Sequence, residues 1–165
     1  MFMCTHHYED GCEMVPTILL VEGECPTSFV IKVTLEAARR RRGVGRIPVI
    51  TADAESPHLF DYRVFREALR ETSIESVHWL SGWFLRESER TGAAGQLLHH
   101  IMKGLMEVFD PYTQLVVIVG NAPVLAAYMT LGLEVPPPQP FSDGMVVEFN
   151  PFSSQFQLHR SEEKH

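Results

Sequence analysis

The sequence predicts an α/β domain in which helices flank a mixed central β-sheet. The first observation is a short, continuous apolar run from Leu115 to Val119 that ends at Gly120, which is typical of a strand buried on both faces. The second is the helical spacing of apolar residues between positions 97 and 109. The third is a series of β-branched stretches bounded by glycine and proline.

Length and composition are those of one globular domain. The chain has 165 residues, of which 45% are hydrophobic and 21% are charged. Its net charge of −7 argues against nucleic acid as the main partner, because phosphate binding needs a basic face. No apolar run approaches the length that a bilayer requires, and the N-terminal segment is acidic, so we expect a cytoplasmic protein with no membrane partner.

Cysteine usage indicates reduced thiols. Cys4, Cys12 and Cys25 form an odd set without a CxxC pair. The first two lie near His6 and His7, but this spacing matches no standard zinc pattern, and we expect no metal site.

The first third of the chain reads as β-structure. Val15–Val21 and Ser28–Leu35 are apolar and β-branched, with glycine and proline between them, so we predict two antiparallel strands. We interpret Glu22 and Glu24, on the connection, as solvated turn carboxylates.

One basic run interrupts the acidic chain at residues 37–46, AARRRRGVGR. We interpret it as a solvated turn. The alternative is a docking patch at Arg39–Arg42 for an anionic partner, to which arginine would pair by charge-assisted hydrogen bonds.

The middle of the chain predicts strand, helix and strand. Arg46–Ile50 reads as a strand, and a helix runs from about Asp61 to Arg70. Ser76–Leu85 reads as a central strand interrupted by Gly82, and glycine inside a strand marks a bulge or the close approach of another group.

Two helices follow. One starts near Gly92 and ends before Pro111, and the small residues at its start would let its backbone approach a phosphate. In the other, Asn121 stands at the N-cap after the buried strand and Gly132 ends the helix. Tyr128 lies seven residues after Asn121, on the same edge of this helix.

The end of the chain contributes one more strand. Residues 134–144 form a proline-rich connection, and Met145–Phe149 reads as the last strand. We therefore expect one domain over residues 1–150 and a loose polar tail over residues 151–165.

The segment after the buried strand resembles the second half of the GNAT superfamily of acyl-CoA-dependent N-acyltransferases. That family has a strand, an Asn, a helix with Tyr, and then Gly with a large apolar residue, and this chain has in that order Asn121, Ala127, Tyr128, Leu131, Gly132 and Leu133. The resemblance implies a GNAT-like fold and acyl-CoA or acetyl-CoA as the acyl donor. It also implies that the anionic partner of Arg39–Arg42 would be coenzyme A or an acyl carrier protein.

The resemblance extends to the pyrophosphate loop of that superfamily. Arg90, Ala93 and Gly95 stand where the family has Gln or Arg, Gly, and Gly or Ala, so the first glycine is replaced by alanine. The cofactor-binding residues implied by the resemblance are Phe84, Leu85, Arg86, Arg90, Thr91, Gly92, Ala93, Ala94, Gly95, Asn121 and Tyr128.

A narrower likeness is to the acyl-homoserine-lactone (autoinducer) synthases, which serve quorum sensing. Their Arg, Pro, Phe, Ser and Phe positions would be matched by Arg46, Pro48, Phe65, Ser81 and Trp83. The chain departs from that branch at Trp79 and Gly82, where the family has Glu and Arg. The implied substrate-binding residues are Arg46, Phe65, Trp79, Ser81 and Trp83.

The implied chemistry is acylation of an amine. Tyr128 is the expected acid that protonates the leaving thiolate. The sequence identifies no single general base, and His78 and Glu148 are the two candidates, acting directly or through water. Two alternatives remain beside an autoinducer-synthase-like enzyme: an acetyl-CoA-dependent N-acetyltransferase of a small amine or protein, and a non-catalytic domain that binds an acyl group or a partner.

Overall fold

A computed structural model describes residues 16–42, 44–51, 60–74, 76–80, 114–121, 125–126, 129, 144–150, 153 and 155–161. The side chains of residue 51 and of residues 76–80 are outside this description. The predicted helix from Gly92 to Pro111 and the proline-rich connection at residues 134–143 lie outside the described residues.

The described part of the chain forms six strands and two helices. The strands are β1 (Thr17–Glu22), β2 (Arg46–Thr51), β3 (Ser76–Leu80), β4 (Leu115–Gly120), β5 (Met145–Asn150) and β6 (Gln155–Arg160). The helices are α1 (Thr27–Arg41) and α2 (Tyr62–Glu71).

All six strands belong to one mixed sheet in the order β3-β2-β4-β1-β5-β6. The first four in this order run parallel, whereas β5 is antiparallel to β1 and β6 is antiparallel to β5. The α/β class and the mixed sheet predicted from the sequence are confirmed for the described residues.

β4 lies inside the sheet between β1 and β2, and all six of its residues are buried. Its apolar run was predicted to be buried on both faces, and this is confirmed. Parallel strands of this kind are covered on both faces, so they lack the alternation of a half-exposed strand.

The segment Ser28–Leu35, predicted as a strand, is part of α1, so the predicted antiparallel pair is wrong. The buried residues of α1 recur at the three- and four-residue spacing of a helix: Val30, Val33, Thr34, Ala37 and Ala38. Packing of this stripe against the sheet overrides the strand preference of the β-branched residues. β1 and β2 are therefore parallel strands joined by a helical crossover, and β4 lies between them.

The first half of the basic run, residues 37–41, is the end of α1, so the interpretation as a turn is wrong for these residues. Arg39, Arg40 and Arg41 occupy the last helical turn, where positive charge complements the carbonyl end of the helix. Arg41 Nε also donates a hydrogen bond to the carbonyl of Gln114, 3.1 Å away, just before β4. Arg42 follows the helix with a φ of 58°.

α2 agrees with its prediction. Asp61 is its N-cap, and the carboxylate oxygen Oδ1 accepts hydrogen bonds from the backbone N–H groups of Arg63 at 2.9 Å and Val64 at 3.3 Å. Phe65 and Leu69 face the core from this helix.

β3 and β6 are the outer strands of the described sheet. β3 matches residues 76–80 of the predicted strand, and residues 81–85 lie outside the described part of the chain. β6 occupies residues 155–160 of the predicted loose tail, and all six of its residues pair with β5. The prediction of a loose tail is therefore wrong for these residues.

The core lies on both faces of the sheet. On one face α1 and α2 pack against alternate strand residues such as Leu19, Val21 and Val117. The residues between them, such as Leu20 and Ile118, face the other way and are buried too. Within the described ranges, no helix is both long and apolar enough to cross a membrane.

Candidate functional site at the carboxyl edge of the sheet

The parallel strands β1 and β4 end side by side. Glu22, the last residue of β1, is in register with Gly120, the last residue of β4. Just beyond them, the N–H of Gly23 donates a hydrogen bond to the Gly120 carbonyl at 2.9 Å. Open α/β sheets bind ligands outside the carboxyl ends of their strands. This edge is therefore the candidate functional site.

Asn121 leads from β4 into a helical segment at this edge. Its carbonyl accepts a hydrogen bond from the N–H of Leu125 at 3.0 Å, and Leu125, Ala126 and Met129 are helical. The predicted succession of strand, Asn and helix is confirmed for these residues. The first N–H groups of a helix have no partner within the helix, so they can stabilise an anion or a developing oxyanion.

Glu22 is the carboxylate at the centre of this edge. Only 3% of its surface is exposed. Its Oε1 accepts hydrogen bonds from the backbone N–H groups of Glu24 at 2.8 Å and Gly144 at 3.1 Å. The interpretation of Glu22 as a solvated turn carboxylate is therefore wrong. Instead, Glu22 joins the loop after β1 to the residue that precedes β5.

The segment before α2 closes the same edge. The N–H of Phe60 donates to the carbonyl of Gly23 at 3.3 Å, and the N–H of Asp61 donates to Oγ1 of Thr27 at 2.7 Å. Cys25 lies in the loop between β1 and α1 with a fully buried thiol. The starts of α1 and α2 are thus fixed to each other beside the ends of β1 and β4.

Glu148, one of the two candidate bases, lies elsewhere. It pairs in register with Leu19 of β1. Leu19 precedes Glu22 by three residues, so Glu148 lies about 10 Å along the strand direction from Glu22. Its Oε2 forms an ion pair with Arg40 of α1, and its Oε1 lies 3.0 Å from Nε2 of His159 in β6.

The protonation of Glu148 follows from these contacts. Burial favours the neutral carboxyl, but hydrogen bonds from His159 and Arg40 and the charge of Arg40 outweigh it, so the pKa of Glu148 lies below its ordinary value. A carboxylate with a lowered pKa, held by two partners, is a poor proton acceptor. Through these contacts the Glu148 side chain, which belongs to β5, links this strand to α1 and β6.

The other described residues of the predicted site are dispersed. Arg46 is exposed at the start of β2, opposite Ser76. Phe65 is fully buried in the core, with its ring centroid 5.1 Å from that of Phe60. His78 and Trp79 lie on β3, where they pair in register with Pro48 and Val49 of β2. Arg46 therefore lies at the opposite edge of the sheet from Asn121, and Phe65 is a core residue.

Several predicted site residues lie outside the described part of the chain. They are Ser81, Trp83, Phe84, Leu85, Arg86, Arg90, Thr91, Gly92, Ala93, Ala94, Gly95 and Tyr128.

The four arginines of the predicted docking patch, Arg39–Arg42, differ in whether they contact other parts of the protein. Arg40 and Arg41 bind Glu148 and the Gln114 carbonyl, which are structural contacts. Arg39 and Arg42 are exposed. This patch lies at the start of β4, at the opposite edge of the sheet from Asn121.

Sequence reasoning missed the role of Glu22. The available signal was a carboxylate placed directly between a fully apolar strand and a glycine, at residues 17–23. Within the described ranges, no three His, Cys, Asp or Glu side chains are grouped so as to hold a metal ion.

Comparison with known proteins identifies no relative that could assign this edge a function. No protein-family model, no curated protein and no solved structure matches the chain.

Proposed function

We propose that the protein is an N-acyltransferase of GNAT-related fold that uses a coenzyme A or carrier-protein thioester and works at the carboxyl edge of β1 and β4. The observation that carries the proposal is the passage from the buried strand β4 through Asn121 into a helical segment. It is the described part of the pattern in which the sequence resembles acyl-CoA-dependent N-acyltransferases.

The surroundings of Asn121 support acyl transfer by supplying fixed polar groups. The first N–H groups of a helix favour the negative charge that develops on a thioester carbonyl under attack, and the Asn121 carbonyl accepts the hydrogen bond of Leu125 that belongs to such a helical segment. Glu22 holds the neighbouring loops in place through two backbone N–H groups, so the edge is organised before a ligand arrives.

The proposed reaction transfers the acyl group from sulfur to nitrogen. The nitrogen of a neutral amine attacks the thioester carbon, the C–N bond forms, and the C–S bond breaks. The nitrogen releases a proton, and the leaving thiolate accepts a proton. The resemblance implies that Tyr128 donates the proton to the thiolate. Because Glu148 is held by Arg40 and His159, we do not assign it the role of base.

Calorimetric titration of the purified chain with octanoyl-CoA, acetyl-CoA and free coenzyme A tests the proposal. We expect the octanoyl thioester to bind more tightly than free coenzyme A. Equal affinity for both thioesters would instead favour an enzyme of the acetyl type. Absence of binding for all three would contradict the use of coenzyme A, and titration with octanoyl-loaded acyl carrier protein then decides whether any thioester is used.

A charge variant locates the site. Asn121→Asp adds a negative charge at the carboxyl edge and should weaken thioester binding about ten-fold or more, because it repels the phosphates of coenzyme A. Gln155→Glu makes the same chemical change on exposed β6, at the opposite edge of the sheet, and should leave the affinity unchanged. Equal affinities in both variants would remove Asn121 from the site.

A further inference from the structure

A cavity lies at the edge of the sheet opposite to Glu22 and Asn121. Its volume is about 300 Å³, at the lower limit of ordinary small-molecule sites. It is an open cleft, lined by residues of the second half of α1, the segment that enters β2, and the turn between α2 and β3. Since β2 is six residues long, this edge is about 20 Å from the carboxyl edge.

The wall of the cavity is apolar. It is formed by Leu35, Ala38, Val44 and Ile74. Ala38, Val44 and Ile74 are each less than one tenth exposed, so they line the interior. A wall of this kind favours an aliphatic or aromatic group of a ligand.

The rim of the cavity is polar and carries a positive charge. It consists of Arg39, Thr72 and Ser73, all of which are exposed. The Thr72 hydroxyl already donates to the carbonyl of Leu69 at 2.8 Å. Within the described residues no carboxylate pairs with Arg39. Its guanidinium is thus the group at the rim that can bind an anion from solution.

The electrostatic balance at the rim favours an anion. The carbonyl ends of α1 and α2 contribute about half a negative charge each, and exposed Glu71 adds one more. Against these stand Arg39 at the rim and exposed Arg42 and Arg46 on either side of Val44. Among the described residues that line the cavity, Arg39 is the charged one, so the nearest of these charges to a bound group is positive.

Backbone strain is concentrated at the same place. Among the described residues, Arg42 and Ser73 are the two non-glycine residues with positive φ, at 58° and 73°. Ser73 lines the rim, and Arg42 lies between two lining residues in the chain, Arg39 and Val44. Such conformations are unfavourable, and they cluster at ligand-binding sites more often than elsewhere.

We propose that this cavity binds a small carboxylic acid with an apolar body, with the carboxylate on the Arg39 guanidinium and the apolar body against Leu35, Val44 and Ile74. The Ser73 hydroxyl can donate a second hydrogen bond to the carboxylate. This site is distinct from the carboxyl edge and does not depend on acyl transfer.

Titration of the full chain with sodium hexanoate, followed by amide ¹H–¹⁵N chemical shifts, tests the proposal. We expect saturable shifts at residues 38–44 and 72–74. Hexan-1-ol and hexylammonium at the same ionic strength should bind at least ten-fold more weakly, because neither presents an anion to Arg39. Equal binding of the alcohol, or no saturable shift with hexanoate, would overturn the proposal.

Variants of Arg39 test how much its charge contributes to hexanoate binding, apart from the apolar wall of the cavity. Arg39→Gln should weaken hexanoate binding about ten-fold or more, whereas Arg39→Lys should retain part of it. Arg63→Gln removes one exposed arginine from the opposite end of α2 and should leave the affinity unchanged. Since Arg39 is exposed, its variants should fold, which circular dichroism checks. Unchanged affinity in Arg39→Gln would contradict the assignment.

Discussion

The imidazole Nε2 of His159 lies 3.0 Å from Oε1 of Glu148. The other oxygen of this carboxylate is paired with Arg40, so a single side chain joins α1 to the two antiparallel strands of the sheet. Both Glu148 and His159 are largely buried, at 15% and 13% side-chain exposure, whereas Arg40 is half exposed at 49%. This relationship makes Glu148 a structural residue.

Replacing Glu148 by Gln should lower the free energy of unfolding by about 1–2 kcal/mol at pH 7, because charge-assisted hydrogen bonds are lost while the half-exposed Arg40 can still reach water. A carboxylate whose pKa is lowered in the folded state stabilises the protein above its unfolded pKa, about 4.3. The difference between wild type and variant should therefore shrink as the pH falls from 5 to 3.

Urea denaturation at pH 7, 5 and 3 measures this difference. Glu67→Gln is the matched control, because Glu67 and its partner Arg70 are both exposed, at 61% and 59%. It should have no measurable effect at any of the three pH values. A pH-independent loss of stability in Glu148→Gln would show that the ionised form of Glu148 is not the stabilising one.

Removal of the helix cap at Asp61 should destabilise α2. Asp61→Ala loses the acceptor for the N–H groups of Arg63 and Val64 and should cost about 1 kcal/mol of unfolding free energy. Asp61→Asn keeps an oxygen acceptor and should cost clearly less. Thermal unfolding of both variants measures the effect, and equal losses would show that the cap hydrogen bonds are not its cause.

Phe65 should behave as a core residue and not as a substrate contact. It is fully buried and packs against Phe60. Phe65→Ala should therefore lower the unfolding free energy by about 3–5 kcal/mol, and Phe65→Leu by much less. Denaturant titration of both variants checks this order. A loss in Phe65→Ala below about 1 kcal/mol would mean that the ring is not part of the packed core.

Elements that depend on local pattern were predictable from the sequence. β4 shows a continuous apolar run, and α2 shows both a cap and a helical stripe. α1 was missed because a strand was assigned to residues 28–35 alone. Its helical stripe becomes evident only when Ala37 and Ala38, which begin the basic run, are included.

Features that depend on distant parts of the chain were not predictable. The burial of Glu22 requires the N–H of Gly144, which lies 122 residues further on. The sequence of β6 resembles that of a polar tail, because this outer strand of the described sheet exposes alternate polar residues, here Gln155 and Gln157. The position of β3 beside β2 in the described sheet is a property of strand order, which no local pattern encodes. The place of Asn121 between a buried strand and a helical segment is predictable, because a cap directly after a buried strand is a local signal.

Removal of a buried hydroxyl in α1 should stabilise the protein, in contrast to the destabilising substitutions above. Thr34 is fully buried, and its Oγ1 has no hydrogen-bond partner within the described structure. Burying a hydroxyl without a partner is unfavourable, so the nearly isosteric Thr34→Val should raise the unfolding free energy by about 1 kcal/mol. Val30→Thr, which adds a hydroxyl at another fully buried position of the same helix, should lower it. Thermal and urea denaturation measure both changes. A decrease in Thr34→Val would mean that the hydroxyl has a partner, and the unfavourable burial inferred for it would be wrong.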